Sequence, residues 1–101
     1  MDNLIQMFDA SKIITSDEEC EYLLEAFHCT VPTVEIISKA RVRYERMLRC
    51  VYFEGDQLLE IEQHITRFLQ LNISANITEM FNLMKIIDTK ILNELDKTLG
   101  R

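Results

Sequence analysis

The sequence predicts an all-α protein: a compact bundle of about four helices followed by one long C-terminal helix. Apolar residues recur every three or four positions throughout the chain, which is the period of an amphipathic helix. No stretch shows the strict apolar–polar alternation of a half-buried strand. Two glycines and one proline among 101 residues are too few for the many tight turns of an all-β chain, or for a glycine-rich phosphate-binding loop.

Two helices are predicted in the N-terminal third. Residues 2–12 carry apolar side chains on one face and form the first helix, which a short apolar link follows. Ser16 and Glu19 then form a capping box, in which the serine hydroxyl accepts from the Glu19 amide and the carboxylate reaches back. The acidic residues around this box complement the helix dipole, so the second helix begins here.

A basic helix is predicted over about residues 34–52. Pro32 separates it from the preceding helix because proline has no amide donor, and Thr33 is placed to cap its first turn. Its expected apolar face consists of residues at helical spacing: Ile37, Ala40, Tyr44, Leu48 and Val51. Four basic residues fall on or beside the opposite face: Lys39, Arg43, Arg46 and Arg49. Arg41 falls on the apolar side, so either its guanidinium finds a carboxylate or carbonyl partner or its stem reaches to the edge of that face.

Two further helices complete the predicted fold. Gly55 is suited to a positive φ and Asp56 to an N-cap, so a helix starts there. Asn76 and Glu79 form a second capping pair and start the last helix, over about residues 77–98. The apolar arc of this helix is broad, so we expect it to pack centrally or against a partner.

The charge of the chain is unevenly distributed. A formal net charge of −6 argues against a surface built for nucleic acid. Residues 36–49 nevertheless hold five of the eleven basic residues and only one acidic residue. This basic segment has two interpretations of equal weight, a solvated helix face and a docking surface for an acidic segment.

The sequence contains no pattern of a catalytic or metal site. The three cysteines, Cys20, Cys29 and Cys50, are an odd number without metal-ligand spacing, which favours reduced thiols in an intracellular protein. No apolar run approaches the roughly 18 residues of a membrane span, and the N-terminus lacks a signal-peptide pattern. His28 and Cys29 point about 100° apart on a helix and cannot chelate together. We therefore expect no enzyme activity, cofactor, metal or small-molecule substrate.

Several segments together resemble the TFIIS N-terminal domain family. The segments 20–27, 31–37, 40–42 and 47–49 are similar to the family's leucine-rich helix, its VT/IT connector, its LL…TRIG helix start and its LR/LKK helix end. Within the family, the chain resembles the integrase-binding domains of LEDGF and the hepatoma-derived growth factor-related proteins. The resemblance spans about residues 4–71 and leaves the last helix outside.

The resemblance implies a nuclear module of transcription or chromatin that binds short disordered protein motifs, often an acidic helical piece followed by a phenylalanine-containing loop. Two interhelical loops form the binding surface in those proteins. By position, the isoleucine of the first loop is Ile13 or Ile14, and the aspartate that follows it falls on Thr15 or Ser16.

In the second loop, too, this chain differs in part from the family. Its phenylalanine is Phe53, while its valine falls on Gly55. Of the basic residues at the preceding helix end, only Arg49 remains. These departures change the polar part of the surface, so the ligands of the integrase-binding domains are not carried over.

The predicted organisation is a bundle over residues 1–72 and an additional amphipathic helix over residues 73–101. The expected function is a non-catalytic interaction module, in which aromatic or aliphatic side chains of a partner insert between the Ile13–Thr15 and Phe53–Gly55 loops. Three arginines would steer an acidic segment toward them: Arg43, Arg46 and Arg49. The alternative is a structural subunit or an obligate dimer whose C-terminal helix pairs with another chain.

Overall fold

The computed structural model describes residues 16–98, which form four helices and contain no strand. The helices are α1 (Asp17–His28), α2 (Val34–Cys50), α3 (Asp56–Gln70) and α4 (Ile73–Thr98). The all-α fold class is confirmed for this part of the chain. Within residues 16–98, no helix is both long and apolar enough to cross a membrane. The helix predicted over residues 2–12 lies outside the described residues.

The side-chain caps predicted at Ser16 and Thr33 begin the first two helices, whereas the Glu19 carboxylate of the predicted capping box binds Arg46 of α2. The Ser16 hydroxyl accepts from the Glu19 amide at 3.1 Å, and the Thr33 hydroxyl accepts from the Ile36 amide at 3.2 Å. A cap of this kind satisfies an amide that has no partner within the helix. Both caps were predictable because they depend only on residues within one turn.

The start of α3 differs from the prediction by one residue. Gly55 is the N-cap, with φ at +96°, and Asp56 is the first helical residue. The predicted cap at Asp56 is therefore wrong, although the positive φ predicted for Gly55 is confirmed.

α4 begins at Ile73, one turn before the predicted start at about residue 77, but the helix is interrupted at Asn76, so its regular part does start at residue 77. Asn72 accepts the Ser74 amide through its side chain at 2.9 Å. Asn76 lies inside the helix with non-helical angles (φ −129°, ψ 30°), and its side-chain oxygen accepts from the Asn72 amide at 3.2 Å. The predicted capping pair is wrong, because Glu79 accepts instead from Arg67 of α3 at 2.7 Å.

The helices α2 and α4 form the centre of the bundle. Each contacts the other and both outer helices, whereas α1 and α3 do not contact each other. Ion pairs show that neighbours in sequence run antiparallel: Glu19 of α1 binds Arg46 of α2, and Glu60 of α3 binds Lys90 of α4. The C-terminal end of α4 therefore lies at the same end of the bundle as the connection between α2 and α3.

One continuous core joins all four helices. Its fully buried centre includes the edge-to-face pair of Tyr44 and Phe68, whose ring centroids are 5.0 Å apart. The central helix α4 contributes four apolar side chains that are fully buried: Met80, Met84, Ile87 and Ile91. The centre of the broad apolar arc is thus buried against the chain's own bundle, whereas Ile86 at its edge is 43% exposed.

Candidate partner-binding surface

The connection between α2 and α3, residues 51–55, carries two adjacent aromatic residues in different environments. Val51 is buried and closes the helix end, its amide donating to the Met47 carbonyl at 2.8 Å. Tyr52 is 53% exposed, whereas the neighbouring Phe53 is half-buried and packs against the core. The connection therefore fastens one aromatic ring to the bundle and presents the other to solvent.

At the C-terminal end of this connection, the backbone adopts a conformation that favours glycine. Gly55 has a φ of +96°, which L side chains rarely adopt, and its carbonyl accepts from the Leu59 amide at 2.9 Å. Leu59 is 42% exposed on the first turn of α3. Tyr52, Phe53 and Leu59 thus supply apolar surface within eight residues of chain.

Arg43 does not lie on an exposed face, so that part of the prediction is wrong. Arg43 is only 4% exposed. Its guanidinium binds Asp88 of α4, with Nη2 3.1 Å from Oδ2. Arg41, predicted on the buried side, is the more exposed arginine and pairs with Glu45 at 3.7 Å. The reason is that α1 and α4 both pack beside α2, which moves its buried face toward Met47.

The other basic residues on this side of α2 bind acidic side chains of α1. Arg46 donates to the two carboxylate oxygens of Glu19 at 2.8 and 3.0 Å, and both side chains are only 16% exposed. Lys39 lies 3.8 Å from Glu25 and over the Tyr22 ring. Much of the predicted basic stripe is therefore the seam between α1 and α2.

Arg49 remains exposed, as predicted, and donates to the Glu45 carbonyl one turn earlier at 3.3 Å. It lies three residues before Tyr52 and is the basic residue nearest in sequence to the connection. Two acidic residues are also exposed here, Glu54 within the connection and Asp56 directly after it. The local surface is therefore of mixed charge around an apolar centre.

A buried polar cluster joins α2 to α4. The Tyr44 hydroxyl donates to Asp88 Oδ1 at 2.6 Å, and Arg43 Nη1 donates to the same oxygen at 3.4 Å. Tyr44 and Asp88 are completely buried. Arg43 Nε is also buried and has no hydrogen-bond partner among residues 16–98.

Burial sets the directions of the pKa shifts in this cluster. It raises the pKa of Asp88, and the Arg43 charge and the Tyr44 hydrogen bond oppose that shift only in part. Burial, with the Asp88 charge, also holds the pKa of Tyr44 well above its usual value. Burial lowers the pKa of Arg43, but Asp88 and Tyr44 together raise it by more, so the guanidinium remains protonated.

Lys85 of α4, one turn before Asp88, binds the C-terminal end of α1. Its ammonium donates to the carbonyls of Ala26, Phe27 and Cys29, at 3.2 Å for Ala26 and 2.8 Å for Cys29. A cation at this position complements the negative end of the helix dipole and adds a donor to carbonyls at the helix end, of which that of Ala26 also accepts from the Cys29 amide at 3.2 Å.

Sequence reasoning missed the roles of Lys85 and Asp88, although a signal for Asp88 was present. Asp88 follows Met84 by four residues and precedes Ile91 by three, so it falls inside the apolar arc of the last helix. A carboxylate at such a position requires a buried partner. Ile13, Ile14 and Thr15, the predicted first loop of the binding surface, lie outside the described residues.

No protein-family model, curated protein or solved structure matches this chain. The resemblance to TFIIS N-terminal domains therefore rests on the residues quoted for it above. Among residues 16–98, no group of three or more histidine, cysteine, aspartate or glutamate side chains is arranged to hold a metal ion.

Proposed function

We propose that this chain is a non-catalytic protein-interaction module and that the connection between α2 and α3 binds a short segment of a partner protein. Tyr52 carries the proposal, because it is 53% exposed beside a phenylalanine that packs on the core. Aromatic residues are enriched among the few that dominate the binding energy of protein interfaces.

Hydrogen bonds and packing restrict the conformation of this connection. Less conformational entropy is therefore lost when a partner binds. Backbone hydrogen bonds close both of its ends, from the Val51 amide to Met47 and from the Leu59 amide to Gly55. Phe53 fixes the middle by packing against the core. A partner would therefore meet an arranged surface with Tyr52 and Leu59 toward solvent.

Charge contributes less to this proposal than the sequence predicted. Arg43 binds the buried Asp88, and Arg46 binds Glu19 along two nitrogen–oxygen pairs. Arg49 is the exposed member of the predicted trio, and Glu54 lies on the other side of Tyr52. We therefore propose recognition through aromatic or aliphatic side chains of the partner, with its charge an outcome to be measured.

The resemblance to TFIIS N-terminal domains supports the same position, since its loop phenylalanine falls on Phe53. On this resemblance alone, we propose a nuclear role in transcription or chromatin. Its first loop, Ile13–Thr15, remains a prediction for the opposite wall of the binding surface.

The proposal can be tested with peptides selected from a random peptide display library against the full chain. The variant Tyr52→Ala should weaken the selected peptides at least tenfold in a titration calorimetry experiment, because it removes the exposed anchor. The matched control is Val42→Ala, since Val42 is 66% exposed on α2, away from the connection. Peptides that bind Tyr52→Ala as tightly as the wild type would contradict the proposal.

Tyr52 is a better probe than Phe53. Phe53 is half-buried and packs against the core. Its truncation removes apolar contacts and is expected to destabilise the bundle as well. Loss of binding by that variant would therefore not distinguish a contact from unfolding.

A further inference from the structure

Three acidic side chains flank the exposed apolar residues of the candidate surface, Tyr52 and Leu59. Glu54 is exposed and follows Tyr52 by two residues. On α3, Asp56 precedes Leu59 by three residues and Glu62 follows it by three, and residues at this spacing are neighbours on a helix surface. We call Glu54, Asp56 and Glu62 the acidic rim. The apolar side chains that a partner would contact therefore have carboxylates beside them.

The acidic rim has no cation of its own. Among residues 16–98, no basic side chain lies within ion-pair distance of its three carboxylates. The other acidic residues of α2 and α3 each lie 3.2–3.7 Å from a lysine or an arginine: Glu35, Glu45 and Glu60. Glu62 is half-buried as well as unpaired, and a carboxylate that is partly shielded from water is attracted more strongly by a nearby cation.

The nearby charges do not cancel the acidic rim. Arg49 is the one basic residue of the candidate surface, and three carboxylates against one guanidinium leave a net charge of −2. The dipoles of the adjoining helices oppose each other, because α2 ends at Cys50 with its negative end and α3 begins at Asp56 with its positive end. The electrostatic potential of this surface is therefore negative.

The exposed tyrosine favours the same class of partner. The face of an aromatic ring attracts a lysine or arginine side chain, and Tyr52 is 53% exposed. The chain contains a contact of this kind elsewhere, since Lys39 Nζ lies 4.6 Å from the centre of the Tyr22 ring. A basic side chain beside the anchor of a partner could thus contact both the ring and a carboxylate of the rim.

We infer that the partner segment of this surface is basic, with a lysine or arginine on either side of an aromatic or aliphatic anchor. The inference rests on the proposed function and names the chemistry of its partner. Asp56 and Glu62 are about 9 Å apart along α3 with Leu59 between them, a separation that the long side chains of two basic residues can span.

This partner is opposite in charge to the acidic segment that the sequence predicted. That prediction counted Arg43 and Arg46 as free basic residues, but Arg43 binds Asp88 and Arg46 binds Glu19. An acidic peptide would be repelled by the rim, and so would the phosphates of a nucleic acid or an anionic lipid.

The first test selects peptides from a random display library against the full chain at low ionic strength. Peptides that lose binding to Tyr52→Ala are sequenced, and their net charge is compared with that of the unselected library. We expect an excess of lysine and arginine next to an aromatic or aliphatic residue. A version of the tightest peptide with every lysine and arginine replaced by glutamine should bind at least tenfold more weakly in calorimetry.

The second test neutralises the acidic rim. The variant Asp56→Asn with Glu62→Gln should bind the tightest peptide about three- to tenfold more weakly than the wild type. The matched control, Glu25→Gln with Glu35→Gln, removes the same number of charges at exposed positions near Lys39 and should bind as the wild type does. Circular dichroism checks that both variants are folded.

Salt and the choice of peptides separate the remaining outcomes. Raising the ionic strength to about 0.5 M screens exposed charges, so it should weaken wild-type binding and remove the difference between the rim variant and the wild type. Peptides that require Tyr52 but have no excess of basic residues would overturn the inference and leave the proposed function intact. A library without any peptide that requires Tyr52 would overturn both.

Discussion

The Tyr44 hydroxyl donates to Asp88 Oδ1 at 2.6 Å across the centre of the bundle, and both residues are completely buried. This hydrogen bond joins the helix that precedes the candidate binding surface to the last helix. With Arg43, it forms a polar cluster inside an otherwise apolar core, and the consequences for stability can be measured.

Removing one partner of the buried ion pair should lower the free energy of unfolding far more than replacing the whole cluster by apolar side chains. We expect Asp88→Leu to lower the free energy of unfolding by about 3–5 kcal/mol, because Arg43 is left charged and buried. Arg43→Met should cost less, since Asp88 can accept a proton. The triple replacement Arg43→Met, Tyr44→Phe and Asp88→Leu should return to within about 1 kcal/mol of the wild type or exceed it. Urea unfolding of the four proteins checks this order; equal losses for both single variants and the triple variant would refute it.

The raised pKa of Asp88 predicts a defined pH dependence. A carboxyl group whose folded pKa exceeds its ordinary value of 3.8 binds its proton more tightly in the folded state. Its contribution to stability is then largest below 3.8 and decreases as the pH rises through the folded pKa. Wild type should therefore gain stability relative to Asp88→Asn as the pH is lowered toward 3.8. Chemical denaturation of both proteins across this range measures the difference, and a relative loss in acid would show that the pKa is lowered instead.

Lys85→Met should loosen the end of α1. The ammonium satisfies three carbonyls there, and hydrogen bonds to charged groups contribute about 1.5–3 kcal/mol in favourable settings. We expect a loss of about 1–3 kcal/mol and faster amide hydrogen exchange in the last turn of α1. Lys97→Met is the control, because the Lys97 side chain is 64% exposed and binds only within α4's last turns, and its exchange pattern should match the wild type. Unchanged protection of α1 in Lys85→Met would contradict this role.

Gly55→Ala should destabilise the protein through backbone conformation alone. The φ of +96° is unfavourable for alanine, yet an added Cβ would meet no atom within 4 Å. Strain of this kind costs about 1–3 kcal/mol. Thermal unfolding beside Glu54→Ala, an exposed neighbour, isolates the effect. A wild-type melting temperature for Gly55→Ala would mean that the connection relaxes freely.

The sequence was sufficient for features that depend on near neighbours and insufficient for those that depend on helix packing. The caps at Ser16 and Thr33 and the positive φ of Gly55 were predictable because a few adjacent residues determine them. The burial of Arg43 was not, because it depends on which sides of α2 the other helices cover. Its carboxylate partner is 45 residues away, and helical periodicity carries no information about such a pairing.

The residues of the candidate surface also divide into those that the sequence predicted and those that it did not. Phe53 and Gly55 stood out because they interrupt the helices, and Arg49 remained exposed as expected. The sequence did not predict Tyr52 as part of this surface, because its exposure depends on how α2 ends against the core.

The central claim is that residues 51–55 and the first turn of α3 bind a partner segment. The most direct measurement is the change in backbone amide chemical shifts of the isotopically labelled full chain on titration with a peptide selected from the display library. The largest changes should fall on Arg49, Tyr52, Phe53 and Leu59. Changes confined to other surfaces, such as the outer face of α4, would contradict the claim.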